Sequence, residues 1–80
     1  MKIRNDLAIS ETGFVFDPIT GESFSLNQIG TEIFNLYKEE KNQSEIKKII
    51  TDKYDVSEAE LDKSLIDFEG MIKEYNFIQK

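Results

Sequence analysis

The fold is decided by Gly13-Phe14-Val15-Phe16-Asp17-Pro18-Ile19-Thr20-Gly21-Glu22-Ser23-Phe24-Ser25-Leu26-Asn27. In an extended chain, Phe14 and Phe16 fall on one face and Val15 on the other. Phe24 and Leu26 oppose Ser23 and Ser25 in the same way. This period of two predicts half-buried antiparallel strands over 13–17 and 22–26. The residues between them are turn formers: Pro18 pre-sets its φ and Gly21 is free to take a positive one. Upstream, Leu7 and Ile9 flank Ala8 and predict a first strand over 6–9, set off by Glu11-Thr12-Gly13. The three form a meander.

From Asn27 onward the period changes to three or four. Asn27 is a helix N-cap, its side-chain oxygen placed for an orphan backbone N–H. Ile29, Ile33, Phe34 and Tyr37 follow at helical spacing to about residue 39. Asn42 with Glu45 has capping-box spacing, and Ile46, Ile49 and Ile50 give a second helix ending near 52 or 53. At the third helix start, Ser57-Glu58-Ala59-Glu60 is a capping box, and Val56 with Leu61 makes a hydrophobic staple. Leu61, Leu65, Phe68, Ile72 and Tyr75 then fall within about 80° on a helical wheel. That helix runs from 58 to about 75, with Asn76 as a left-handed stop. The predicted class is α+β, a winged-helix-like β-β-β-α-α-α order in a single domain spanning 1–80.

Composition narrows the function. The 80 residues hold 10 Lys and Arg against 16 Asp and Glu, a formal charge of −6, and no His, Cys or Trp. No disulfide, thiolate, zinc-finger or Ser/His/Asp chemistry is available. The carboxylates read as solvated helix surface, and Asp52-Lys53-Tyr54-Asp55 lacks the Gly and terminal Glu of a calcium loop. No cofactor is expected and no enzymatic activity. No apolar run is long enough for a signal segment or a membrane helix, so the expected location is cytoplasmic. A core in so short a chain supplies about 3–5 kcal/mol of net stability.

A helix, turn and longer helix over 43–75 has the proportions of a DNA-binding winged helix. Charge argues against that function. Residues 55–80 carry seven acids against three lysines, and the first turn of the would-be recognition helix holds Glu58 and Glu60. A DNA reader needs Arg, Lys, Asn or Gln there. Neither nucleic acid nor an anionic membrane is an expected partner.

Peptide capture fits better. In so small a sheet the first or third strand is an edge, and an open edge is a template for an added strand. The third strand, Glu22-Ser23-Phe24-Ser25-Leu26, has no Pro and no protective Lys. An unpaired edge can also pair with its own copy, which leaves a homodimer open. On the third helix, Met71 lies about 80° from the centre of the core stripe, beside Ser64, Asp67 and Glu60. A flexible apolar side chain among small and acidic ones can line a groove. It can equally widen the core stripe. Ile66, about 140° away on the other side, is expected at the surface.

Residues 13–34, from Gly13-Phe14-Val15-Phe16 through the Asp17-Pro18-Ile19-Thr20-Gly21 turn and Phe24-Ser25-Leu26-Asn27 to Gly30, resemble the PqqD-like family. Tyr54-Asp55-Val56-Ser57 before a long helix is similar to that family's second half. The resemblance spans about residues 7–78. It implies a RiPP recognition element, a small non-catalytic domain that binds the leader of a ribosomally made precursor peptide. In such domains the leader adds to the third strand, lies against the third helix, and is handed to a tailoring enzyme. That enzyme is often a radical S-adenosylmethionine enzyme, or a leader protease in lasso-peptide pathways. The residues expected to bind are Glu22, Ser23, Phe24, Ser25 and Leu26 on the strand. On the helix they are Ser64, Asp67 and Met71, with Lys63 as partner for an acidic leader residue. The family often carries Tyr or Trp near the third strand, where this chain has Phe24 and Ser25. The competing readings are a winged-helix transcription regulator and a protein–protein module unrelated to peptide modification.

Overall fold

The computed structural model describes residues 3–78. Strands β1 (Ala8–Ile9), β2 (Phe14–Phe16) and β3 (Ser23–Ser25) precede helices α1 (Gln28–Lys38), α2 (Gln43–Lys53) and α3 (Glu58–Glu74). The sheet is antiparallel in the order β1-β2-β3, which makes the expected meander. The β2–β3 ladder continues one residue past each end: Asp17 N–H donates to Glu22 O at 2.9 Å and Leu26 N–H to Gly13 O at 2.8 Å. The first strand is shorter than the predicted 6–9. Asp6 is drawn instead into an ion pair with Arg4, and the Leu7 carbonyl accepts a hydrogen bond from Lys38 Nζ.

Alternation along β2 resolves in favour of valine. Val15 is buried, whereas Phe14 and Phe16 stand on the outer face, 49% and 41% exposed, beside Ser23 and Ser25 across the register. The inner face meets one core. Ile33, Phe34 and Tyr37 enter it from α1, Ile46 and Ile50 from α2, and Leu61, Leu65, Phe68 and Ile72 from α3. Tyr75, expected in that stripe, is instead half-exposed at the end of α3 and packs its ring on Phe24 at 4.4 Å. Its place in the core is taken by Phe77, which the left-handed Asn76 (φ 59°) turns back beneath the sheet. Ile66 is exposed, as expected.

The helix starts follow from the caps. Asn27 Oδ1 accepts from Gly30 N–H at 2.7 Å, and Asn42 with Glu45 forms both halves of a capping box. Ser57 Oγ accepts from Glu60 N–H at 3.1 Å. Each satisfies a donor that the first helical turn leaves orphaned.

The chain ends are tied together by a contact that no sequence period announces. Ile3 bridges Ile78, and Arg4 N–H donates to Phe77 O at 2.7 Å. The Arg4 guanidinium then forks over Asp17 (2.9 and 3.2 Å) and Asp6, and also reaches Asn76 O. Asp17 is buried and turns its Oδ1 to Ile19 N–H, so one carboxylate closes both the β2–β3 turn and the seam between the termini. Hydrogen bonding to Arg4 holds the Asp17 and Asp6 carboxyls below the usual carboxylate range. Depressed folded-state values stabilise the fold fully above the unfolded value of about 3.9, and that stability is lost as pH falls through the folded values. Arg4→Met is therefore expected to raise the midpoint of acid unfolding. It should also lower stability at neutral pH, by leaving Asp17 buried without its cation. Circular dichroism melts between pH 2 and 7 measure both.

Candidate functional site

The two sheet edges are not equivalent. In the β2–β3 ladder, residues 22, 24 and 26 direct their backbone groups toward β2, because 22 and 26 bond to 17 and 13 across the register. Adjacent residues of a strand point their N–H and C=O to opposite sides. The groups of Ser23 and Ser25 therefore face away from the sheet, and no backbone group among the described residues bonds them. At the other edge, Lys38 Nζ donates to the carbonyl of Leu7, the residue just before β1. A lysine held at a sheet edge obstructs pairing. β3 is the open edge.

Beside that edge lies a groove of about 380 Å³ between the β3 end, the start of α1 and the middle of α3. Ser25 and Leu26 form one wall, Ser64, Asp67 and Met71 the other, and Ile29, Ile33 and Phe68 the floor. The α3 wall follows from spacing, since positions 64, 67 and 71 repeat every three or four residues and share one face. Tyr37 stacks on the Phe68 ring at 5.6 Å and Phe34 meets it edge-on at 6.1 Å, which fixes the floor from below. Gly30 lets α1 start close to the wall. A Cβ there would stand 3.1 Å from Asn27 Oδ1 and 3.5 Å from Leu26 Cβ, crowding the cap. The lining is apolar except for serine hydroxyls, the Asn27 cap and one charged side chain, Asp67.

Five of the nine residues expected at the site converge on this groove: Ser25, Leu26, Ser64, Asp67 and Met71. Ser23 belongs to the open edge without lining the groove. Glu22 and Phe24 turn their backbones to β2, and the Phe24 ring packs inward on Tyr75 and Phe77. Of residues 22–26, the outward-facing backbone groups are those of Ser23 and Ser25, and Leu26 lines the groove with its side chain. Lys63 does not line the groove. It follows Asp62 on the outward side of α3, about 100° around the helix from Ser64. Ile29, Ile33, Phe68 and Gly30 were missed as site residues. The first three carry core periodicity, and nothing in a sequence separates a core residue that also floors a groove from one that does not. Among the described residues, no three carboxylates are grouped to hold a metal ion, and no helix is long and apolar enough to cross a membrane.

A family model described as coenzyme PQQ synthesis protein D (PqqD) matches residues 13–78. The chain belongs to the PqqD family. The match begins at Gly13, so β1 and the Ile3 bridge precede it and the open edge, the groove and all of α3 lie inside it. The structure of this PqqD-family domain is similar to a solved one, TbiB1 in complex with the TbiA(beta) leader peptide. The TM-score is 0.84 at 24% identity, covering 99% of this chain and 95% of that one. At that identity the likeness is one of fold, and it extends over β1 as well. No curated protein matches the chain significantly.

Proposed function

We propose that this PqqD-family domain is a non-catalytic adaptor that captures the leader of a ribosomally made precursor peptide and presents it to a tailoring enzyme in the cytoplasm. The observation that carries the reading is the union of an unpaired β3 edge with an apolar groove along α3. Family membership and the TbiB1 complex, which holds a leader peptide, support it. The leader adds as a fourth strand, bonding to the N–H and C=O of Ser23 and Ser25. Its alternate side chains enter the groove above Ile29, Ile33 and Phe68. Main-chain bonds supply affinity and the groove supplies selection.

The domain performs no chemistry in this reading. It acts by effective concentration, holding the modified segment near another protein's active site. A radical S-adenosylmethionine enzyme or a leader protease is the partner class. The test is an NMR titration of labelled protein with the leader of a short open reading frame adjacent to the gene. Shifts should concentrate at Ser23, Ser25 and the 64–71 face of α3. Shifts confined to α2 or to the outer face of α3 would overturn the reading, as would saturating peptide that moves nothing. Lys63→Ala is expected to leave affinity within about twofold, because an exposed charge outside the groove contributes little. Isothermal calorimetry with the same leader checks this.

A further inference from the structure

The chain is acidic, yet many of its described carboxylates are occupied. Arg4 holds Asp6 and Asp17, Lys47 holds Asp62, and Lys53 holds Glu32. Glu45 completes the α2 capping box, and Glu69 accepts from the Tyr37 hydroxyl and the Gln43 amide. Asp67 is set apart by its place in the groove, not by lacking a partner: the side chains of Glu11, Glu22, Glu39, Asp52, Asp55, Glu58, Glu60 and Glu74 likewise have no hydrogen bond or ion pair among the described residues. It is the one charged side chain lining the groove. The remaining lining side chains near it, Ser64 and Met71, offer a hydroxyl and an apolar flank but no cation.

Resting on the peptide-binding reading above, we infer that the groove selects a peptide with a Lys or Arg side chain two residues from an apolar one. The cation meets the Asp67 carboxylate and the apolar side chain lies against Met71 and the Ile29–Ile33 floor. The spacing follows from the two elements that form the walls. A strand advances about 6.6 Å over two residues, and its side chains at those positions share a face. A helix advances about 6 Å over four residues, the separation of Asp67 from Met71. A guest strand running along α3 therefore brings consecutive inward side chains to Met71 and to Asp67. An acidic side chain at the second position would face a like charge in a partly desolvated groove, which disfavours it. The same carboxylate thus attracts one class of leader and excludes another.

The test is a display library of short random peptides panned separately against the 80-residue chain and its Asp67→Lys and Asp67→Asn variants. Asp67 is exposed and unbonded, so Asp67→Asn should leave the thermal melt unchanged, and Asp67→Lys, which sets a second lysine one turn after Lys63, should lower it by only a few degrees. The native chain should enrich Lys or Arg two residues from an aliphatic or aromatic side chain. The Lys variant should enrich Asp or Glu there, and the Asn variant should show no charge preference. A selected basic peptide should bind the Lys variant about tenfold more weakly than the native chain. Identical charge at that position in all three selections, with peptides that shift the Ser23 and Ser25 amides, overturns the charge rule and leaves peptide capture standing. Peptides that shift neither amide, or no enrichment at all, overturn peptide capture and the charge rule together.

Discussion

Ser25→Pro should abolish leader capture and leave the fold standing. The Ser25 N–H points away from the sheet with no partner among the described residues, so its loss breaks no bond within the domain. Proline is tolerated on an edge strand when its missing N–H faces outward. The residue before it, Phe24, is already in the extended conformation that proline imposes on its neighbour. For a guest strand the same change is severe. One main-chain hydrogen bond disappears, a guest carbonyl is left unpaired as it is buried, and the ring occupies the guest's place. An unmade bond of this kind costs about 1–3 kcal/mol, and steric obstruction adds to it. Affinity should fall by about a hundredfold or more while the thermal midpoint moves by only a few degrees. Fluorescence anisotropy with a labelled leader reads the first and circular dichroism the second. Ser25→Thr keeps the N–H and should bind within about threefold. If Ser25→Pro binds normally, the leader does not add to β3.

The opposite pattern is expected of Gly13→Ala, which should cost stability before any effect on binding can be read. Gly13 has φ of 89°, a region costly for residues with a Cβ. An added Cβ would meet Thr31 Oγ1 at 2.3 Å and Leu26 O at 2.5 Å. Neither can retreat freely. The Gly13 carbonyl accepts from Leu26 N–H, which fixes the β2–β3 register, and Thr31 Oγ1 donates to Asn27 O in the first turn of α1. Left-handed strain and overpacking together amount to about 2–5 kcal/mol. That is comparable with the whole net stability of a domain this size. A fall in the thermal midpoint of about 15 °C or more should follow. Gly21 is the internal control. It also has a positive φ, 77°, but a Cβ there meets nothing within 4 Å. Gly21→Ala should therefore show backbone strain alone and a much smaller drop. Equal drops for the two would mean that the close approach of β2 to α1 contributes nothing.

The contrast between the two glycines also shows how far sequence reading reaches. Both mark turns, and both were legible as such from their neighbours. Only the packed structure shows that Gly13 sits where the sheet end meets α1, whereas Gly21 lies in open space. The same division holds at the site. Ser64, Asp67 and Met71 were legible as one face of α3 because helical spacing puts them there. Lys63, expected as a partner for an acidic leader residue, lies one turn before Asp67 but does not line the groove. Tyr75 matched the core stripe by angle, but α3 ends there, and the chain beyond Asn76 delivers Phe77 to the core instead.

Local rules thus determined the elements of this protein. Alternation, turn chemistry and caps act between residues a few positions apart, so the sequence alone yielded three strands, three helices and their order. The negative charge and the absence of His and Cys likewise excluded whole classes of chemistry without reference to shape. The tertiary structure decided which side of β2 is buried, which edge is open and what floors the groove. Each of these depends on residues far apart in the chain meeting in space: Lys38 bonding the Leu7 carbonyl beside β1, Arg4 joining the turn to the C-terminal segment, and Ile29, Ile33 and Phe68 lining the groove with Met71. Periodicity assigns a residue to a face, and only packing decides what that face meets.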